Sequence, residues 1–237
     1  MSNSIFNLKD KVVLITGAAG IQGPEHVKAF ESVGAEVVAT DIKGTEIILD
    51  VTSPDSINQA VKKIIDQHGY IDVLVNNAGA TGKYATDWEQ IIKVNLTGTY
   101  NCCHIIGAAM NQGSIINVSS IYGLVGPDWS VYDQAEYAGK PMGAPAGYAA
   151  SKGGVISLTR YFASLYAPKV RVNCVTPGGI FDNQSETFVK KYSAKTMLGR
   201  MAKKNEVSGT LLYLASDLSS YVTGENIVVD GGLTARA

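Results

Sequence analysis

Val12-Val13-Leu14-Ile15-Thr16-Gly17-Ala18-Ala19-Gly20-Ile21-Gln22-Gly23 begins as an apolar run of strand length and breaks at glycines spaced G-x-x-G-x-x-G. Small residues there permit a tight turn. They also let backbone N–H groups approach a pyrophosphate at the N-terminus of the next helix, where the peptide dipoles favour an anion. An empty strand-to-helix turn would read the same way. The context favours the phosphate reading: a segment of helical period, Gly23 to Ser32, follows the turn, and a second apolar run, Glu36 to Thr40, follows the helix. The turn thus opens a βαβ unit.

The alternation continues along the chain. Further strands are expected at Ile47 to Leu49, Val73 to Val75, Ser114 to Val118, Arg171 to Val175 and Asn226 to Val229. Helices are expected at Pro54 to His68, Asp87 to Asn111, Tyr148 to Tyr166, Gln184 to Ser193 and Lys204 to Ala215. Ser53, Pro54 and Asp55 make a helix start with proline at the first helical position. The pattern predicts an α/β fold: a single doubly wound Rossmann domain over residues 1–237, with a seven-stranded parallel sheet flanked by helices. Only the stretch Gly123 to Gly147 lacks clear periodicity, and it is expected as an inserted loop, 123–147. Loops of that length are uncommon in compact domains and usually have a function.

Bulk properties exclude several classes. With 46% hydrophobic and 17% charged residues, the chain can bury a sizeable core. Its net charge of -1, with scattered Lys and Arg, offers no stripe for nucleic acid and no polybasic membrane patch. Cys102, Cys103 and Cys174 match no metal-ligand spacing and read as buried thiols, so no metal is expected. No apolar run approaches a membrane span and no signal segment is evident, so a cytoplasmic protein is expected.

Two further features carry chemistry. Asp41 follows the second strand, where a carboxylate can accept from both adenosine ribose hydroxyls of NAD and would repel the 2′-phosphate of NADP. Lys43 is the contrary signal. Tyr148-Ala149-Ala150-Ser151-Lys152 sets a phenol and an ammonium on one helix face, and a nearby cation lowers a tyrosine pKa toward the range of a general base.

Together with Asp50-Val51, Asn76-Asn77-Ala78-Gly79, Lys93-Val94-Asn95, Asn117-Val118-Ser119-Ser120, Pro177-Gly178 and Val229-Asp230-Gly231-Gly232, these motifs resemble the short-chain dehydrogenase/reductase family over nearly the whole chain. The resemblance implies a catalytic tetrad of Asn95, Ser120, Tyr148 and Lys152. Tyr148 would exchange the substrate's hydroxyl proton and Ser120 would hydrogen-bond the reacting oxygen. Lys152 would hold the nicotinamide ribose and depress the tyrosine pKa, and Asn95 would anchor a water. Ser119 is the competing serine; alignment on Ile121-Tyr122-Gly123 selects Ser120. NAD would be held by Gly17, Ala19, Gly20, Ile21 and Gln22 at the pyrophosphate, and by Asp41, Ile42, Asp50 and Val51 at the adenosine. Asn77, Ala78 and Gly79 would lie beside it, and Pro177, Gly178 and Ile180 would meet the nicotinamide with Tyr148 and Lys152.

Three departures stand out. The middle glycine of the turn comes one position early. Asp182 replaces the threonine expected at the fourth position after Pro177-Gly178, which leaves the backbone of Ile180 to hold the nicotinamide amide. Ser120 and Tyr148 lie 28 residues apart (148 minus 120), roughly twice the family's separation. That insertion and the sequence Pro177 to Gln184 look like oxidoreductases of bacterial surface-sugar and nonulosonate biosynthesis, so the expected small-molecule substrate is a sugar or polyol derivative. A 3-oxoacyl thioester, a steroid and a non-catalytic nicotinamide sensor are the alternatives. The insertion is expected to line the pocket, with Trp129, Tyr132 and Tyr137 as ring faces and Asp128, Asp133 and Gln134 as acceptors. A homodimer or homotetramer is expected through helices rich in Gly98, Gly107, Ala108, Ala109, Gly153 and Gly154.

Overall fold

A computed structural model describes residues 6–81 and 87–236. Its centre is a seven-stranded, wholly parallel sheet. The strands are β1 (Val12–Thr16), β2 (Glu36–Asp41), β3 (Ile47–Ile48), β4 (Val73–Asn76), β5 (Gly113–Val118), β8 (Val170–Pro177) and β9 (Asn226–Val229), in the order β3-β2-β1-β4-β5-β8-β9. Between β5 and β8 the insertion folds a small antiparallel hairpin, β6 (Glu136–Tyr137) and β7 (Lys140–Pro141). The fold is the expected doubly wound α/β architecture. Strand order reverses between β1 and β4, and ligands of such sheets sit outside the carboxyl ends of the strands at that point.

Alternation along each strand splits the core into two layers. Val12 and Leu14 join Leu74, Ile115 and Val172 beneath α2 (Pro54–His68), α4 (Gly98–Ala109) and α5 (Ala146–Tyr166). Val13 and Ile15 face the other way, with Val73, Val75 and Ile116, beneath α1 (Gly23–Ser32) and α7 (Ser208–Ala215). Strands buried on both faces read as continuous apolar runs, which is why they were legible.

Three helices depart from expectation, each for a local reason. The segment expected as one helix from Asp87 to Asn111 is α3 (Trp88–Ile92), a π-helical turn (Lys93–Thr97) and α4. The wide turn carries Asn95, and the Thr99 hydroxyl donates to the Asn95 carbonyl at 2.7 Å. α6 (Glu186–Ser193) omits Gln184, because that side chain accepts from the Asp182 N–H (2.8 Å) and donates to the Ile180 carbonyl (2.9 Å). α7 starts at Ser208 rather than Lys204. Glu206, held by Arg200, accepts from the Lys203 N–H at 2.7 Å and fixes the preceding residues as turns.

Candidate active site

The glycine turn closes on itself through contacts that only glycine allows. Gly17 has φ +66°, and a Cβ there would lie 2.6 Å from the Ala78 Cα; a Cβ on Gly23 would lie 2.4 Å from the Ala18 carbonyl oxygen. Asn77 ties β4 to the turn, its amide donating to the carbonyls of Thr16 (3.2 Å) and Gly17 (2.9 Å), while the Ala78 N–H donates to the Thr16 hydroxyl. One Asp41 oxygen accepts from the Ala19 N–H (3.0 Å) and the other from the Ile42 N–H (2.7 Å). The carboxylate expected to face a ribose therefore also closes the glycine turn. Beside it Ile42 presents an apolar side chain that is 61% exposed. Asp50 accepts from the Thr52 N–H, and Val51 is buried.

These residues fit a nicotinamide dinucleotide. Besides the cradle under Gly17, the Gln22 Nε2 donor in the turn itself is buried without a partner among the described residues, and such a group needs an acceptor. Across the sheet, Gly178 packs against Asp230, and Ile180 extends from β8 in a bridge to Ala202.

Chemistry-bearing side chains gather at the carboxyl end of β5. Lys152, buried on α5, donates from Nζ to the Val118 carbonyl at 2.8 Å and lies 5.8 Å from the centre of the Tyr148 ring. Ser119 donates to the Lys152 carbonyl at 2.8 Å. Ser120 accepts from the Tyr122 N–H at 3.3 Å and lies beside Tyr148. Asn95 accepts from the Ala80 N–H (2.7 Å) and donates to the Ala80 carbonyl (2.9 Å) and the Ser151 hydroxyl (3.1 Å). A Cβ on Gly79 would sit 3.6 Å from both Asn95 Oδ1 and Lys152 Nζ, so that glycine lies between the two. The four expected residues are thus brought together, with the side chain of Asn95 wholly engaged in bridging backbone and Ser151.

Electrostatics differ from the expectation. Burial pushes the Lys152 ammonium down to about 8. Burial also raises Tyr148 above its ordinary value, with Ser120 acting the other way. Lys152 spends a donor on the Val118 carbonyl, and for the phenol desolvation outweighs the hydrogen bond from Ser120.

The insertion is bound to α6 and to the turn that follows it. Asp128 pairs with Lys195 at 2.8 Å, Asp133 with Lys191 at 3.4 Å, and the Tyr132 ring packs on Phe188 with centres 5.6 Å apart. Trp129 rests on Tyr132 and is 62% exposed, and Gln134 takes a turn at φ +57°. Asp133 and Tyr132, expected to line a substrate pocket, are thus used to hold the loop in place, and Asp128 does both, pairing with Lys195 and lining the cavity beside Tyr122. The ring that does meet Tyr148 is Tyr122, edge-on with centres 6.5 Å apart. Its hydroxyl bonds that of Tyr132, and burial pushes Tyr132 up to about 12. Tyr192, on α6, accepts from the Gly179 N–H at 2.5 Å. A cavity of about 590 Å³ lies here, lined by Tyr122, Val131, Tyr192, Lys195, Leu233 and Arg236 among others. Sequence reasoning quoted Tyr122 in a motif without giving it a role, and nothing in the sequence pointed to Tyr192. Among the described residues no group of three or more His, Cys, Asp or Glu could hold a metal, and no helix is long and apolar enough to cross a membrane.

The chain is similar to known proteins in both sequence and fold. A family model described as enoyl-(acyl carrier protein) reductase matches residues 17–234. The chain is 37% identical to a 3-oxoacyl-[acyl-carrier-protein] reductase of Thermotoga maritima, over 95% of this chain and 98% of that protein. Among solved structures, a short-chain dehydrogenase of Leptospira borgpetersenii with bound NAD+ superposes with a TM-score of 0.87 at 35% identity, covering 96% of this chain and 94% of that one. The aldohexose dehydrogenase of Thermoplasma acidophilum gives 0.84 at 30% identity, covering 99% and 98%. The chain belongs to the short-chain dehydrogenase/reductase family of oxidoreductases.

Proposed function

We propose that this oxidoreductase uses NAD to interconvert a secondary alcohol and a ketone on a sugar or polyol derivative, with Ser120, Tyr148 and Lys152 as its catalytic residues. The observation that carries the reading is the gathering of those three side chains at the end of β5, on the same sheet edge as Asp41. Bound dinucleotide supplies the hydride carrier; Gly17 to Gln22, Asp41 and Ile42 would hold it at one end, and Ile180 at the other.

The chain's own residues handle the proton. Ser120 has an acceptor site taken by the Tyr122 N–H, which leaves its O–H to donate to the oxygen where charge develops. Tyr148 gives its proton to that oxygen during reduction and takes it back during oxidation. With its pKa raised by burial, Tyr148 rests in the acid form at neutral pH, ready for reduction. Lys152, held against Val118, keeps a positive charge near the phenol below about pH 8. The side chain of Asn95 fixes Ala80 next to Gly79, and so shapes the floor on which Lys152 rests.

Asp41 supports NAD over NADP, because a 2′-phosphate beside it meets a like charge. The neutral phenols around Tyr148 and the likeness to an aldohexose dehydrogenase support a hydroxyl-rich substrate. The likeness to the Thermotoga reductase supports a 3-oxoacyl thioester as the second reading. An open apolar cleft lined by Leu96, Tyr100, Leu158 and Tyr161, between α4 and α5, supports pairing of these helices with a second copy in a homodimer or homotetramer. Following NADH absorbance against a panel of aldoses, ketoses, polyols and a 3-oxoacyl thioester tests the assignment. Turnover with sugars or polyols is expected. Turnover confined to the thioester would overturn the substrate class, and NADH binding without any turnover would make the chain a sensor.

A further inference from the structure

Asp182, which breaks the family's pattern, occupies a joint. Its side chain is only 13% exposed. One carboxylate oxygen accepts from the Tyr137 hydroxyl at 2.5 Å and the other meets the Lys204 ammonium at 2.6 Å. Tyr137 belongs to the hairpin of the insertion. Three residues beyond Asp182, Ser185 repeats the connection: the Glu136 N–H donates to its hydroxyl and its own N–H donates to the Glu136 carbonyl, both at 3.1 Å. On the other side, Gln184 clasps the Asp182 N–H and the Ile180 carbonyl. A single chain of bonds thus runs from Ile180 through Gln184 and Asp182 to Tyr137.

A carboxylate this sheltered needs hydrogen-bond and charge partners, and the Tyr137 phenol and the more exposed Lys204 ammonium supply them. We infer that Asp182 is a positioning residue that locks the insertion to the loop following β8, so that cofactor binding at Ile180 orders the substrate-side wall. This rests on the reading of Ile180 as the nicotinamide end of the site. The two ends of this chain of bonds are expected to share a coupling that binding at either end reports.

Hydrogen exchange on the full chain, with and without NADH, tests this without knowledge of the substrate. NADH is expected to slow exchange in peptides covering 178–185 and also in those covering 128–142, the latter by about tenfold. In Asp182→Asn and in Tyr137→Phe the slowing at 178–185 should persist, while that at 128–142 should fall below about twofold. Tyr137→Phe removes a single oxygen atom, so it serves even where Asp182→Asn does not fold. Protection of 128–142 that survives in Tyr137→Phe would overturn the inference. So would NADH protection confined to 178–185 in the unmodified chain, and in both cases the oxidoreductase reading would stand. Failure of NADH to bind at all would overturn that reading and the inference together.

Discussion

Ser119 donates its hydroxyl to the backbone carbonyl of Lys152 at 2.8 Å, so the two neighbouring serines do different work: one fastens β5 to α5 and the other stands beside Tyr148. Ser119→Ala should remove a second hydrogen bond to the Lys152 carbonyl, which stays bonded within α5, and cost about 0.5–1.5 kcal/mol of stability, with turnover changed only a few-fold. Ser120→Ala should lower kcat by about a hundredfold, the scale of losing one donor to a developing oxyanion, with little change in melting temperature. Thermal unfolding and steady-state rates on the two variants check this, and a reversed pattern would exchange their roles.

Asp41 has two tasks, accepting from the Ala19 N–H in the glycine turn and bearing the charge that faces the adenosine ribose. Asp41→Ser should therefore weaken NAD binding and at the same time narrow its advantage over NADP. Titration of both cofactors into both proteins decides the matter. Equal affinity of the unmodified chain for the two would remove the basis for preferring NAD.

His26 offers a prediction on stability. It is fully buried between α1 and α7, its Nδ1 is bonded to Ser208 at 2.9 Å, and burial pushes it down from 6.5 to about 4. A base with a depressed folded-state pKa is protonated first in the unfolded chain. The unfolded state then binds more protons between about pH 6.5 and pH 4, and stability falls as pH drops through that window. The full loss is about 3 kcal/mol. His26→Asn should flatten this part of the curve in urea unfolding measured across the window. An unchanged slope would place the acid sensitivity on other groups.

Much of this was legible in sequence because the periodicities are local. Doubly buried strands read as apolar runs, and the glycine turn, Asp41, Tyr148 and Lys152 sit at strand ends or on one helix face. What was hidden depends on side chains that leave the regular pattern to bond distant backbone. The π-helical turn at Asn95 has no signature in a 3.6-residue period. Gln184 has the composition of a helix residue but serves the Ile180 carbonyl. Acids in the insertion looked like ligands for hydroxyls, yet Asp128 and Asp133 face lysines sixty-seven and fifty-eight positions along (195 minus 128, 191 minus 133), a pairing no spacing reveals. The insertion also shares a small core with α6, in which Ile121 and Val131 pack with Phe188 and Tyr192. Shortening it would uncover those rings.

The central claim is that the phenol of Tyr148 carries the proton. Tyr148→Phe keeps the ring that meets Tyr122 and Lys152 and deletes only the group that titrates. Single-turnover hydride transfer, monitored by NADH absorbance with any substrate the panel identifies, should fall by about a hundredfold or more, while NADH affinity stays within about twofold. Retention of the unmodified rate in that variant would contradict the account.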